Sequence, residues 1–132
     1  MANEAKPAEQ STPHTVLVVE DEAMVRITIT EYLRDCGYNV VEACDAAEAI
    51  AAVDTAGPID LVFSDVRMPG RMDGFGLAEW FLSHHPGVPV LLTSGYNGGR
   101  AFAADGLPGV RLIDKPYSQI QVEQRIARLL AG

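Results

Sequence analysis

The sequence predicts an α/β domain, a five-stranded parallel sheet doubly wound by helices. Three observations carry that expectation. Apolar runs of strand length alternate along the chain with segments whose apolar residues recur at helical spacing, the pattern of linked βαβ units. The runs are nearly continuous rather than alternating, as strands covered on both faces require. Polar side chains stand at the carboxyl ends of the first, third, fourth and fifth runs (Glu20/Asp21, Asp65, Ser94 and Lys115), and open parallel sheets bind ligands along that edge.

Residues 1–13 are polar, include Pro7 and Pro13, and show no periodicity. They read as a disordered leader to one folded domain over 14–132. Thr15-Val16-Leu17-Val18-Val19 is a β-branched run ending in Glu20-Asp21-Glu22. Val25, Ile29, Tyr32, Leu33 and Cys36 then share one helical face, with Gly37 just past its end. Asn39 to Ala43 is a short second strand. Asp45 is placed to cap an Ala-rich helix through Ala52 and Val53, which Gly57-Pro58 closes.

Ile59 to Ser64 is the third strand, and it runs into Asp65 and the Met68-Pro69-Gly70 punctuation. Asp73 and Gly74 open the next helix, whose buried face is Phe75, Leu77, Ala78, Phe81 and Leu82, and Pro86-Gly87 ends it. Val88 to Thr93 is a fourth strand. Asn97 to Ala104 forms a short helix weakened by Gly98 and Gly99. Val110 to Ile113 is the fifth strand, stopped by Asp114-Lys115-Pro116. The last helix carries Ile120, Ile126, Leu129 and Leu130, with Arg125 and Arg128 near its C-terminus, where the helix dipole favours cations.

Composition excludes several classes. At 132 residues the chain is long enough for one real core and too short for two. A net charge of −8 and scattered basic residues argue against nucleic-acid binding, which needs clustered Lys and Arg. No apolar stretch approaches the ~20 residues that span a bilayer, and no signal-peptide core is present, so a cytoplasmic location is expected. Cys36 and Cys44 follow no metal or disulfide spacing and read as two small buried thiols.

Each polar strand end has an ordinary structural role available. The Glu20-Asp21-Glu22 run suits the first turn of a helix, Asp65 a loop cap, Ser94 a turn and Lys115 a solvated strand end. Four such coincidences along one sheet edge favour a shared site. Carboxylates brought together repel, and Mg²⁺, an oxygen-seeking cation held by one or two carboxylates, resolves the conflict. Asp21 and Asp65 supply the carboxylates, with a backbone carbonyl just past Asp65. An aspartate in that setting can act as a nucleophile on phosphorus. Lys115 and Ser94 have the chemistry to neutralise and hydrogen-bond the phosphoryl oxygens.

Val-Leu-Val-Val-Glu-Asp-Glu, Ser-Asp-Val-Arg-Met-Pro-Gly-Arg-Met-Asp-Gly, Pro-Val-Leu-Leu-Thr-Ser-Gly-Tyr and Asp-Lys-Pro-Tyr, in that order, resemble the receiver domain of two-component response regulators. The resemblance spans residues 15–131. It implies a flavodoxin-like sheet of strand order 2-1-3-4-5, with Asp65 as phosphoacceptor and Glu20 and Asp21 as the acidic pair. Mg²⁺ would be held by Asp21, Asp65 and the Arg67 carbonyl, with Glu20 beside them. Ser94 matches the switch hydroxyl and Lys115 the phosphate-binding lysine. The Thr93-Ser94-Gly95-Tyr96 run is also similar to a subgroup of single-domain receivers with a Phe-Ala-Thr-Gly-Tyr motif, which works with stress-related histidine kinases. Leu92-Thr93 stands where that motif has Phe-Ala.

Two departures stand out. Leu112 occupies the place of the aromatic residue that receivers commonly carry three positions before the lysine, and Tyr96 is a candidate to replace it. The loop from Met68 to Gly74 is one residue longer than the usual form. The expectation is a stand-alone response regulator, phosphorylated by a sensor histidine kinase or histidine phosphotransfer protein. It would catalyse only its own phosphorylation and dephosphorylation and signal through a protein partner or phosphate flow, as a monomer or weak homodimer. Two alternatives stay open: a degenerate receiver that binds a partner without phosphorylation, and an aspartate-nucleophile phosphatase. Against the phosphatase, Arg67 stands where such enzymes carry a second Asp. His84 and His85, at the end of the third helix, read as solvated residues rather than phosphohistidines, and Trp80 as packing.

Overall fold

The computed structural model describes residues 13–95 and 107–132. In chain order these form β1 (Thr15–Val19), α1 (Ala23–Asp35), β2 (Asn39–Ala43), α2 (Ala46–Ala56), β3 (Leu61–Asp65), α3 (Gly74–His84), β4 (Val90–Ser94), β5 (Val110–Asp114) and α4 (Gln119–Ala131). The five strands form one sheet in the order β2-β1-β3-β4-β5, and every neighbouring pair is parallel. The expected order 2-1-3-4-5 is the observed one. Residues 1–12 of the leader, Tyr96 and the stretch 97–104 where a short helix is expected lie outside the described residues.

Alternation along the strands splits the core into two faces, as a period of two demands. Leu17, Val19, Val62, Val90 and Leu92 pack against α2 and α3 through Ala46, Ala49, Leu77, Ala78 and Phe81. Val16, Val18, Phe63, Leu91 and Ile113 pack against α1 and α4 through Ile29, Leu33, Val122 and Ile126. Leu17, Leu61, Leu77, Leu91 and Leu92 are fully buried, each contributing on the order of 2 kcal/mol of apolar transfer free energy. Leu82, expected on the buried face of α3, is half-buried.

Caps set the helix starts. The Asp45 side chain accepts from Glu48 N (2.8 Å) at α2, and Asp73 accepts from Gly76 N (2.9 Å) at α3. Ser118 and Gln121 form a reciprocal capping box at α4.

Two strands begin later than expected, and for local reasons. Pro89 has no N–H to give the ladder, so β4 starts at Val90, while the Pro89 carbonyl accepts from Val62 N (3.0 Å). Ahead of β3, the Asp60 side chain accepts from Thr15 N (2.7 Å), taking a donor that a longer strand would use. Both strands end one residue later than expected, on Asp65 and Ser94, because Asp65 still pairs with Thr93 and Ser94 with Asp114. The expectation of two buried cysteines is corrected: Cys36 is exposed, Cys44 is half-buried, and both are free thiols. The buried stripe of α1 stops at Leu33, and Cys36 is already the C-cap residue. Among the described residues no helix is long and apolar enough to cross a membrane.

Candidate functional site

The sheet order puts the carboxyl ends of β1 and β3 side by side, with Val19 opposite Ser64. The next residues out are Glu20, Asp21 and Asp65, and one carboxylate oxygen from each lies within 4.8 Å of the others. Glu20 is fixed from three sides. Its N–H donates to Ala43 O (3.0 Å), its carboxylate accepts from Glu22 N (3.0 Å), and its carbonyl accepts from Arg26 Nη1 (2.8 Å). Arg26 is itself held by an ion pair from Nε to Glu42 Oε1 (3.2 Å). The guanidinium therefore braces the acidic turn through its backbone.

Asp65 is reached from two other strands. Lys115, just past β5, places Nζ 3.0 Å from Oδ2. Thr93 on β4 points its hydroxyl at Oδ1 (3.5 Å), where the Arg67 N–H also approaches (3.4 Å). Ser94 ends β4 and is buried, and its carbonyl accepts from Lys115 N (2.9 Å), which ties the lysine's backbone to the fourth strand. Arg67 follows in the loop, where it lines an open groove of about 450 Å³ with Asp21, Val66, Met68, Pro69 and Asp73.

The backbone below Asp65 is locked against α3. Val66 N donates to Thr93 O (2.9 Å) and Gly74 N to Val66 O (2.8 Å), so the first turn of α3 rests directly on the end of β3. A Cβ at residue 74 would sit 2.8 Å from Val66 Cα and collide with the Asp65 carbonyl. Only glycine permits that approach.

Burial, chiefly, pushes the Glu20 carboxyl above its ordinary range, and the charges of Asp65 and Asp21 add to it; the Glu22 N–H and Lys115 pull the other way. The Tyr117 phenol is pushed up to about 12, first by burial and then by the charges of Glu20 and Asp65. Its ring meets Phe63 edge-on at 6.1 Å.

A raised folded-state value means that ionising Glu20 works against folding. That penalty is absent below about pH 4 and sets in as pH rises through the folded value. In chelator, Glu20→Gln is therefore expected to melt above wild type at pH 7 and level with it near pH 4. Magnesium should reverse the neutral-pH ranking, because it relieves a repulsion that the variant has already lost. Calorimetric melting with and without the ion checks both signs.

Every site residue expected from the sequence lies in the described part of the chain. Glu20, Asp21, Asp65 and Lys115 come together; Ser94 stands at the neighbouring strand end and Arg67 on the groove. An all-oxygen donor set, with Glu20 and Asp65 largely withdrawn from solvent and Asp21 exposed, suits a hard divalent cation. Thr93, Arg26, Gly74 and Tyr117 were not anticipated as contributors. A basic residue one turn past the acidic triplet hinted at Arg26, and a hydroxyl in an otherwise apolar strand at Thr93. Leu112 is half-buried and packs into the core on the α2–α3 side. Trp80 stacks on His84 at 4.3 Å and meets Phe81 edge-on at 5.1 Å.

Residues 16–127 match the family described as the response regulator receiver domain. The chain is 39% identical over 95 residues to the transcriptional regulatory protein PdtaR of Mycobacterium tuberculosis, covering 71% of this chain and 45% of that protein. It is 35% identical over 129 residues to the sensor kinase CckA of Brucella abortus, covering 95% of this chain and 13% of that one. It thus spans less than half the length of either relative. Among solved structures, a response regulator receiver protein from Sinorhizobium medicae superposes with a TM-score of 0.82 at 27% identity, over 91% of this chain and 96% of the other.

Proposed function

The chain belongs to the response regulator receiver domain family, and from that premise we propose that Asp65 accepts a phosphoryl group from a phosphohistidine on a sensor histidine kinase or a histidine phosphotransfer protein. The observation that carries this reading is the convergence on Asp65 of Lys115 Nζ at 3.0 Å and of two further carboxylates within 4.8 Å. A carboxylate oxygen of Asp65 forms the new O–P bond as the P–N bond to the donor imidazole breaks, and the imidazole leaves with the bonding pair and takes a proton.

Lys115 offsets the charge of the transferring group, and Ser94 supplies a hydroxyl at the same edge. Glu20, Asp21, Asp65 and the Arg67 carbonyl would hold Mg²⁺, which when bound offsets negative charge on the phosphoryl oxygens. The chain turns over no separate substrate in this reading; it catalyses only its own phosphorylation and hydrolysis. The added charge at the sheet edge then changes affinity for a downstream protein.

Intact mass after incubation with a small-molecule phosphodonor tests the proposal. One added phosphoryl group is expected in wild type with Mg²⁺, at least about 100-fold less without the ion, and none in Asp65→Asn. Failure of wild type to gain mass under any condition, with Mg²⁺ binding also absent, would turn the reading to phosphorylation-independent partner binding.

A further inference from the structure

We infer that the Thr93 hydroxyl tunes the lifetime of the phosphoryl group, a role that rests on Asp65 being the acceptor. Thr93 is the register partner of Asp65 across the β3–β4 ladder, so both side chains leave the same face of the sheet. The residue is only 1% exposed, in a strand whose preceding residues are Val90, Leu91 and Leu92. A valine would fill the same space without a polar atom. A buried hydroxyl is costly unless it finds a partner, and the partner of this one is Asp65 Oδ1, at 3.5 Å. Lys115 takes the other oxygen, Oδ2. The two oxygens of the acceptor are thus distinguished, a cation on one and neutral donors, the Thr93 hydroxyl and the Arg67 N–H at 3.4 Å, on the other.

A hydrogen-bond donor binds an ionised carboxylate more strongly than an acyl phosphate, whose carboxyl oxygens carry less charge. Thr93 therefore favours the state in which Asp65 is free. In hydrolysis, water forms a bond to phosphorus as the P–O bond to Asp65 breaks. The bonding pair returns to the carboxylate, and the proton lost by water goes to solvent. Negative charge grows on the carboxylate along that path, and a donor already aimed at it lowers the barrier. The same donor makes Asp65 a slightly weaker nucleophile in the forward direction.

The test follows the decay of phosphorylated protein by intact mass after removal of a small-molecule phosphodonor. Thr93→Val is expected to lengthen the half-life about three- to tenfold and to raise the steady-state phosphorylated fraction. Thr93→Ser, which keeps the hydroxyl and loses the methyl, should decay within about twofold of wild type. Thr93→Ala is a second hydroxyl-free variant held to the same expectation as valine, should valine disturb the fold. Wild-type decay in both hydroxyl-free variants would overturn the inference and leave Asp65 as acceptor. A serine variant as slow as valine would also overturn it, by assigning the effect to packing. A wild type that takes no phosphoryl group would overturn the inference together with the proposed function.

Discussion

Lys115→Met is expected to slow phosphoryl uptake at Asp65 by about two orders of magnitude or more, while moving the melting temperature by no more than about 4 °C. The two readouts separate because they depend on different properties of one contact. The Lys115–Asp65 pair is 3.0 Å long, with the lysine side chain 36% exposed and the aspartate 11%. A pair that wet contributes about 1 kcal/mol or less to folding. In the reaction the same ammonium faces a group whose charge must approach three carboxylates already within 4.8 Å of one another. Removing it leaves that repulsion uncompensated. Lys115→Arg keeps the charge but not the compact shape, and should recover only part of the rate. Time courses of mass gain, beside calorimetric melting of the same samples, check the split. Equal uptake rates in wild type and Lys115→Met would remove the lysine from the chemistry.

The second large effect belongs to a residue with no side chain. In Gly74→Ala the new methyl would meet the Asp65 carbonyl and lie 2.8 Å from Val66 Cα. Both obstacles are backbone, so neither can rotate away; the first turn of α3 or the end of β3 must shift. Overpacking of that kind costs about 1–3 kcal/mol, or roughly 4–12 °C in melting temperature for a domain of this size. A displacement of about 1 Å at a reacting group lowers rate by about 100-fold, so phosphoryl uptake should fall beyond what the lost stability explains at 20 °C. Gly76→Ala is the matched control. Its methyl would meet Met72 Cγ at 2.7 Å, a side-chain rather than a backbone atom, which rotation about χ1 can displace, and alanine is the better helix former by about 1 kcal/mol. It should melt near wild type and take up phosphoryl normally.

The fold was legible because its punctuation is local. β-branched runs, the Asp45 and Asp73 caps and the Gly57-Pro58 and Pro86-Gly87 stops all act within a few residues of where they stand. Glu20, Asp21, Asp65, Ser94 and Lys115 could be picked out for the same reason, since each closes an apolar run. Thr93 and Gly74 could not. Thr93 matters because parallel register sets it opposite Asp65, and Gly74 because a helix start comes to rest on a strand end 8–9 residues earlier. The hydroxyl after Val90-Leu91-Leu92 marks Thr93 but not its partner, and the Gly74 contact has no mark in the neighbouring sequence. Arg26 is intermediate: its proximity to the acidic triplet is visible, but its anchor Glu42 lies on β2. Cys36 misled because it continues the spacing of Ile29 and Leu33 beyond the point where α1 leaves the core.

Helix α3 links two places of different kinds. Its first residue, Gly74, bears on the backbone of the acceptor loop. Past its middle, Trp80 stacks on His84 and meets Phe81 edge-on. The helix is 11 residues long, a rigid rod of about 16 Å, and Trp80 is the sole tryptophan of the chain. The protein thus carries its own optical gauge about 9 Å along a lever whose near end touches Asp65. Its emission is expected to follow tilt or rotation of that rod against its ring neighbours rather than the arrival of charge at the carboxylates. A fluorescence change on phosphorylation is accordingly a measure of mechanical transmission, and an unchanged signal beside a full mass shift marks a modification whose message leaves by another route.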